Sequence, residues 1–295
     1  MIRLLYSLSA LALLAATAAA ADEAVELKSY KPKVGDRVRV TDEDRTTTRT
    51  VFTVEDKKED KVEKTTRVVV YVAETLAVKE GEKKAVKVKR VYEKAEEVKG
   101  GTTTNLPLHG KTVTIEKKGE KYAFTYDDGK AVDGKAREDL DKELNKKDED
   151  EIDDFIPKRP LKPGETWKMD VDKLIKSFTK EKDVFTIDKK SATATGKLAE
   201  AYTFGGHKYG VYDMRLEFPL TELGGANPVA LKPGSKMAMH IVGDGNVDGA
   251  EPDGTMTMRL TMRVSFKVPN GVEGDIKADG IMTRTAERLP PRKTD

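Results

Sequence analysis

Met256-Thr257-Met258-Arg259-Leu260-Thr261-Met262-Arg263-Val264-Ser265-Phe266-Lys267-Val268 alternates apolar and polar residues without a break. Successive side chains of an extended strand point to opposite faces, so this stretch predicts a strand with one face on a core and one in water. A Pro269-Asn270-Gly271 turn follows, and Val272, Gly274, Ile276, Ala278, Gly280 and Met282 then share one face of a returning partner. Small residues opposite large ones let a long sheet curl. Working upstream, Tyr212, Met214, Leu216 and Phe218 alternate with Asp213, Arg215 and Glu217 behind a Gly205-Gly206 turn, which predicts a second hairpin.

The N-terminal half obeys the same period. Val68, Val70 and Val72 oppose Val69, Tyr71 and Ala73, so both faces are apolar and the strand should be central. Val113 and Ile115, then Tyr122, Phe124 and Tyr126, form a hairpin around Lys118-Gly119. Residues 34–54 read as two strands around an acidic turn at Asp42-Glu43-Asp44, followed by a polar loop from Glu55 to Lys64. Between Gly134 and Ile156 the period changes: Ala136, Leu140 and Leu144 recur every four residues, which predicts a helix. Val171, Leu174, Ile175 and Phe178 predict a shorter one. The charges from Lys146 to Asp154 and the prolines at 157 and 160 place a boundary near Asp150.

The expected fold is therefore mainly β: two antiparallel curved-sheet domains, half-barrel or sandwich, with one or two short helices. The expected divisions are a leader at 1–21, an N-terminal β domain at 22–150 ending in a charged helix, and a C-terminal β domain at 151–295. Lys31-Pro32-Lys33-Val34-Gly35-Asp36 and Leu161-Lys162-Pro163-Gly164-Glu165 look alike, and Leu231-Lys232-Pro233-Gly234 repeats the turn. Either turn chemistry converged or a β unit is duplicated.

Composition limits the function. Among 295 residues there is no Cys, which excludes disulfide frameworks, thiol nucleophiles and Cys-based metal sites. A formal charge of +2 from nearly equal numbers of acids and bases gives no strong field for nucleic acid. Arg3, the apolar run Leu4 to Ala16 and Ala18-Ala19-Ala20-Ala21 have the form of a secretory signal peptide, so a secreted or periplasmic chain without a later membrane span is expected.

Pro163-Gly164-Glu165-Thr166-Trp167, opening a strand in the second half, resembles exported, β-rich bacterial proteins of unknown function. The resemblance spans roughly residues 157–220 and implies export and sheet content only.

Candidate sites follow from residue type and spacing. No catalytic constellation is present: Gly-x-Ser-x-Gly and His-Glu-x-x-His are absent, and His109, His207 and His240 are scattered. Met256, Met258, Leu260, Met262, Ile276 and Met282 line one sheet face and would hold an apolar ligand if that face is not filled by its own core. Asp244-Gly245-Asn246-Val247-Asp248-Gly249 carries oxygen ligands at alternate positions, as the first half of a calcium loop does, with Glu251 or Asp253 as substitutes for the acid missing at Thr255. A plain Gly/Asn/Asp hairpin turn explains the same residues. The paired methionines Met237/Met239 and Met256/Met258 suit either Cu(I) or a core, and His240 should point away from them. The expected function is a non-catalytic binding or scaffold module without a cofactor, its partner a protein or a small apolar ligand. The alternatives are a calcium-stabilised domain and a carboxylate-based hydrolase.

Overall fold

The computed structural model describes residues 23–54, 57–80, 82, 84–145, 155–179, 185–224, 228–268 and 271–291, so the leader and the charge cluster after Asn145 lie outside it. The strands are β1 (Arg37–Val54), β2 (Lys57–Ala77), β3 (Lys87–Lys99), β4 (Thr102–Asn105), β5 (Thr112–Lys118), β6 (Lys121–Tyr126), β7 (Thr166–Lys168), β8 (Phe185–Ile187), β9 (Thr193–Phe204), β10 (His207–Leu223), β11 (Val229–Ala230), β12 (Lys236–Asn246), β13 (Gly254–Lys267) and β14 (Glu273–Leu289). The helices are α1 (Gly134–Leu144) and α2 (Val171–Thr179).

All strands join one antiparallel 14-stranded sheet in the order β6-β5-β3-β2-β1-β14-β13-β12-β10-β9-β7, with β4, β8 and β11 as side additions. The sheet is open: its path ends at β6 and β7, which do not pair. The chain starts in the middle at β1, runs outward to β6, crosses through α1 to the opposite edge at β7, and returns until β14 zips onto β1 from Arg37↔Leu289 to Thr53↔Glu273. Strands from either side of residue 150 thus share one sheet.

Alternation assigns one face to the core, here called inner. Opposed residues of an antiparallel pair share a face, so Trp167↔Gly196, Met214↔Ile241↔Met258↔Met282↔Asp44 trace it across the sheet, reaching Gly196 through its pairing with Met214. Both helices lie there. The C-terminal part of the face packs Leu198, Met214, Phe218 and Ile241 with Trp167 and with Leu174 and Ile175 of α2. The N-terminal part packs Tyr71, Tyr92, Val113, Ile115 and Phe124 with Ala136 and Leu140 of α1. A smaller group gathers Leu220, Val264 and Phe266.

Three glycines make room for aromatic rings in directly opposed positions. A Cβ on Gly196, Gly243 or Gly274 would overlap Trp167, Tyr212 or Phe266 respectively. Ring over glycine is a recognised way to fix register on a bent sheet.

Two expectations fail in the N-terminal half. Asp42-Glu43-Asp44 is no turn: β1 runs straight through it, because Asp42 is bonded from the neighbouring strand by Arg284, Nε to Oδ1 at 3.0 Å, and Glu43 pairs with Arg45 at 2.6 Å. Residues 57–64 are no loop either. They extend β2 beyond β3 and pair only with β1. Their exposed lysines and acids leave a charged outer edge, which discourages pairing with other chains.

The three look-alike segments make one structure. Each is a turn with glycine at a positive φ, 88° at Gly35, 84° at Gly164 and 88° at Gly234, closed by Asp36 N to Lys33 O, Glu165 N to Lys162 O and Ser235 N to Lys232 O. In each, the carbonyl of the residue after the glycine then accepts from a neighbouring strand or its end: Thr75, Leu198 or Leu220. At the sheet's edge, the free backbone of β6 is also satisfied, since Asn145 Oδ1 accepts from Tyr122 N at 2.6 Å and Val132 N donates to Phe124 O at 3.0 Å.

Candidate functional site

The N-terminal core is not filled. Between α1 and the inner faces of β1, β2, β3 and β14 lies a cavity of about 540 Å³. Its walls are Val69, Tyr71, Tyr92, Leu140, Met282 and the Leu106-Pro107-Leu108 loop, and its rim carries Asp42, Asp44, Arg67, Asp139, Lys142, Glu143 and Arg284. α1 positions its share through the four-residue repeat: Ala136 and Leu140 face the sheet, which brings Asp139 and Glu143 to the cavity mouth. Arg137 and Asp141, paired at 2.8 Å, brace its exposed side.

The polar groups form connected pairs. Arg90, 9% exposed, lies with its guanidinium 4.5 Å from the centre of the Tyr71 ring and meets both oxygens of Glu143 at 2.9 and 3.0 Å. Its Nη1 also reaches the Tyr92 hydroxyl at 3.3 Å. Across the cavity Arg284 binds Asp42 and donates to the Tyr71 hydroxyl at 3.2 Å. Arg67 stands 3.9 Å from Asp139. Among the described residues Lys142 faces no carboxylate.

Environment separates the acids. Burial pushes the Asp42 carboxyl above its ordinary range even though Arg284 opposes this. Burial would raise Glu143 too, but the Arg90 guanidinium more than offsets it and holds Glu143 below the usual value. The Tyr92 hydroxyl is pushed up to about 12, chiefly by burial.

The methionine stripe occupies the inner face, as its spacing demands, but its members serve different neighbourhoods. Met282 lines the cavity. Met256, Met258 and Leu260 pack against the C-terminal core, and Met262 and Ile276 pack against the small third group. His240 points to the outer face, 3.0 Å from Asp213.

The Asp244 loop does not gather its oxygens. Asp244 accepts from the Tyr202 hydroxyl at 2.7 Å, Asn246 Oδ1 from the Ala250 and Glu251 amides, and Asp248 from the Lys208 and Ala250 amides. Glu251 is bound by Arg288 at 2.5 Å, and Asp253 accepts from the Arg288 amide. Among the described residues no group of three or more His, Asp or Glu side chains is placed to hold a metal ion.

Charged residues at inward parity were the unused signal for the cavity. Asp42 and Asp44 continue the face of Val38 and Val40, Arg67 that of Val69 and Tyr71, and Arg284 that of Met282. A charge where the alternation calls for an apolar residue marks a place where the core is interrupted.

No protein-family model matches the chain, and no curated protein is similar to it. Similar solved structures include the COG4313 outer membrane channel from Pseudomonas putida F1, 9% identical over 89% of this chain and 98% of that chain, with a TM-score of 0.21. They also include OmpT of Vibrio cholerae with loop L8 deleted, 10% identical over 84% of this chain and 99% of that chain, at 0.20. Pseudomonas aeruginosa OpdQ, 7% identical over 86% and 98%, scores 0.19. At such scores the likeness defines no shared fold.

Proposed function

We propose that the chain is an exported, non-catalytic binding module whose ligand is a small, largely apolar molecule seated under α1. One observation carries this reading: a cavity of about 540 Å³ that has an apolar wall and a rim of seven charged side chains, within the size range of small-molecule sites. The Met1–Ala21 leader supports a periplasmic or secreted setting. Met282 connects the sulfur-rich stripe to the cavity floor, and a thioether adapts to varied apolar shapes.

Native mass spectrometry of protein purified from its own host tests the reading. A co-purifying small molecule is expected, and a Leu108→Trp variant, whose indole enters the cavity, should lose it while keeping its fold. Bare polypeptide from the host, with no change in melting across a panel of apolar compounds, would refute the proposal.

A second reading, hydrolysis by two carboxylates, has one observation in its favour: Asp42 and Glu143 border the same cavity with ionisation driven in opposite directions. Turnover of chromogenic glycosides that disappears in both Asp42→Asn and Glu143→Gln would favour it. Absence of turnover by the parent protein removes it.

A further inference from the structure

The outer face of the sheet carries a second, unrelated feature. The register sets cations side by side across four strands: Lys236 opposes Arg263, Arg263 opposes Lys277, and Lys277 opposes Arg49. Four residues along, Arg215 opposes His240 and His240 opposes Arg259, with Arg45 two strands further on. Like charges directly opposed across an antiparallel pair destabilise it; Glu217 and Asp60 offset the outer members Lys236 and Arg49, and folding alone gives no reason for the central Arg263–Lys277 pair.

The acids of this face are largely committed. Glu217 holds Lys236 at 2.9 Å, Asp60 holds Arg49, Asp213 holds Arg215 and His240 at 3.0 Å each, and Glu43 holds Arg45. Asp275 accepts from the Ser265 hydroxyl. Among the described residues Arg259, Arg263 and Lys277 face no carboxylate within ion-pair distance, and Asp279 is the one acid between the two rows without a partner. Beside Arg259 the small Ala238 leaves a groove of about 460 Å³, lined by Arg215, His240, Arg259 and the threonines Thr193, Thr195 and Thr261, with one acid, Glu217, which Lys236 engages.

We propose that this outer face binds a linear acidic polysaccharide, its carboxylates or sulfates lying along the Lys236–Arg263–Lys277–Arg49 row and its hydroxyls meeting the threonines of the adjoining groove. The inference is independent of the cavity under α1. The row is one residue wide and about 15 Å long at a strand spacing of about 4.8 Å, a shape that suits a chain with repeating charge more than a flat bilayer. The outward positions of β12, β13, β14 and β1 hold no Phe, Tyr or Trp to stack on bases or anchor in a lipid interface, whereas hydroxyls are frequent.

Alginate, a linear polyuronate, is the probe, with neutral dextran, duplex DNA and phosphatidylglycerol vesicles for comparison, all measured by calorimetry with the full-length protein. Alginate should bind, weaken as salt is added and exceed the other three. The triple variant Arg259→Ser/Arg263→Ser/Lys277→Ser should lose on the order of tenfold in affinity, and Asp279→Asn should gain severalfold. The triple variant should melt no lower than the parent, so a loss of binding is not a loss of fold. Equal binding by the triple variant, no binding at low salt, or equal or tighter binding of DNA or vesicles would overturn the proposal.

Discussion

The two helix-covered regions of the inner face are built by the same period and yet differ in kind. Under α2 the core is apolar: Trp167, Met214, Leu216, Phe218 and Ile241 belong to one buried cluster, and the indole N–H is satisfied by Phe155 O at 3.0 Å. Under α1 the tyrosines Tyr71 and Tyr92 hold a buried guanidinium, acids from the helix complete the pairs, and space is left over. Burial of apolar surface is enough to hold the first region together. The second adds to its own apolar packing a set of paired charges, each of which is unfavourable if its partner is lost.

Removing the centre of the apolar core under α2 should give the largest effect. Trp167→Ala is expected to cost about 3–5 kcal/mol in denaturant unfolding, because it opens a cavity opposite Gly196, which has no side chain to fill it. A cost below about 1 kcal/mol would break the contrast.

In the charged region under α1, Glu143→Ala should cost about 2–4 kcal/mol, at the lower end because the Glu143 side chain is 42% exposed, whereas Arg90→Met/Glu143→Leu should recover most of the loss. Acid titration sharpens this. Glu143 is held below its ordinary value of 4.5, so its pair contributes fully above that pH and fades as pH falls through the lowered value. Asp42, raised above 3.8 by burial, behaves oppositely: its contribution is complete below the ordinary value and is lost as pH rises through the raised one. Glu143→Gln should therefore flatten the acid limb of a melting-temperature profile, and Asp42→Asn the limb just above it.

The outer face should show the smallest effect, with reversed sign. Arg263→Thr removes two like-charge oppositions and should stabilise by about 0.2–1 kcal/mol. Destabilisation would mean that the row contributes to the fold.

Alternation made the strands and the inner face readable from sequence, down to Met214, Phe218 and the outward His240, because side-chain period is a local property. The acidic triplet at 42–44 was misread for the same reason: locally it has turn chemistry, and the residue that straightens it, Arg284, lies 242 positions away. The cavity was hidden by that same distance. Its lining comes from β1, β2, β3, the 106–108 loop, α1 and β14, and only the strand register brings these together. Which aromatic lies over which glycine is likewise a matter of register, not composition. The charge cluster beyond α1 and the leader lie outside the described residues.

The seam between β1 and β14 has a consequence for synthesis. A chain synthesised from the N-terminus delivers β1 early and β14 last of the strands, so the middle of the finished sheet stays unzipped until nearly everything else has emerged. For that interval an eighteen-residue strand offers one bare flank of amide and carbonyl groups. A holding chaperone, or fast emergence, would matter more to this topology than to a sheet whose neighbours arrive in sequence.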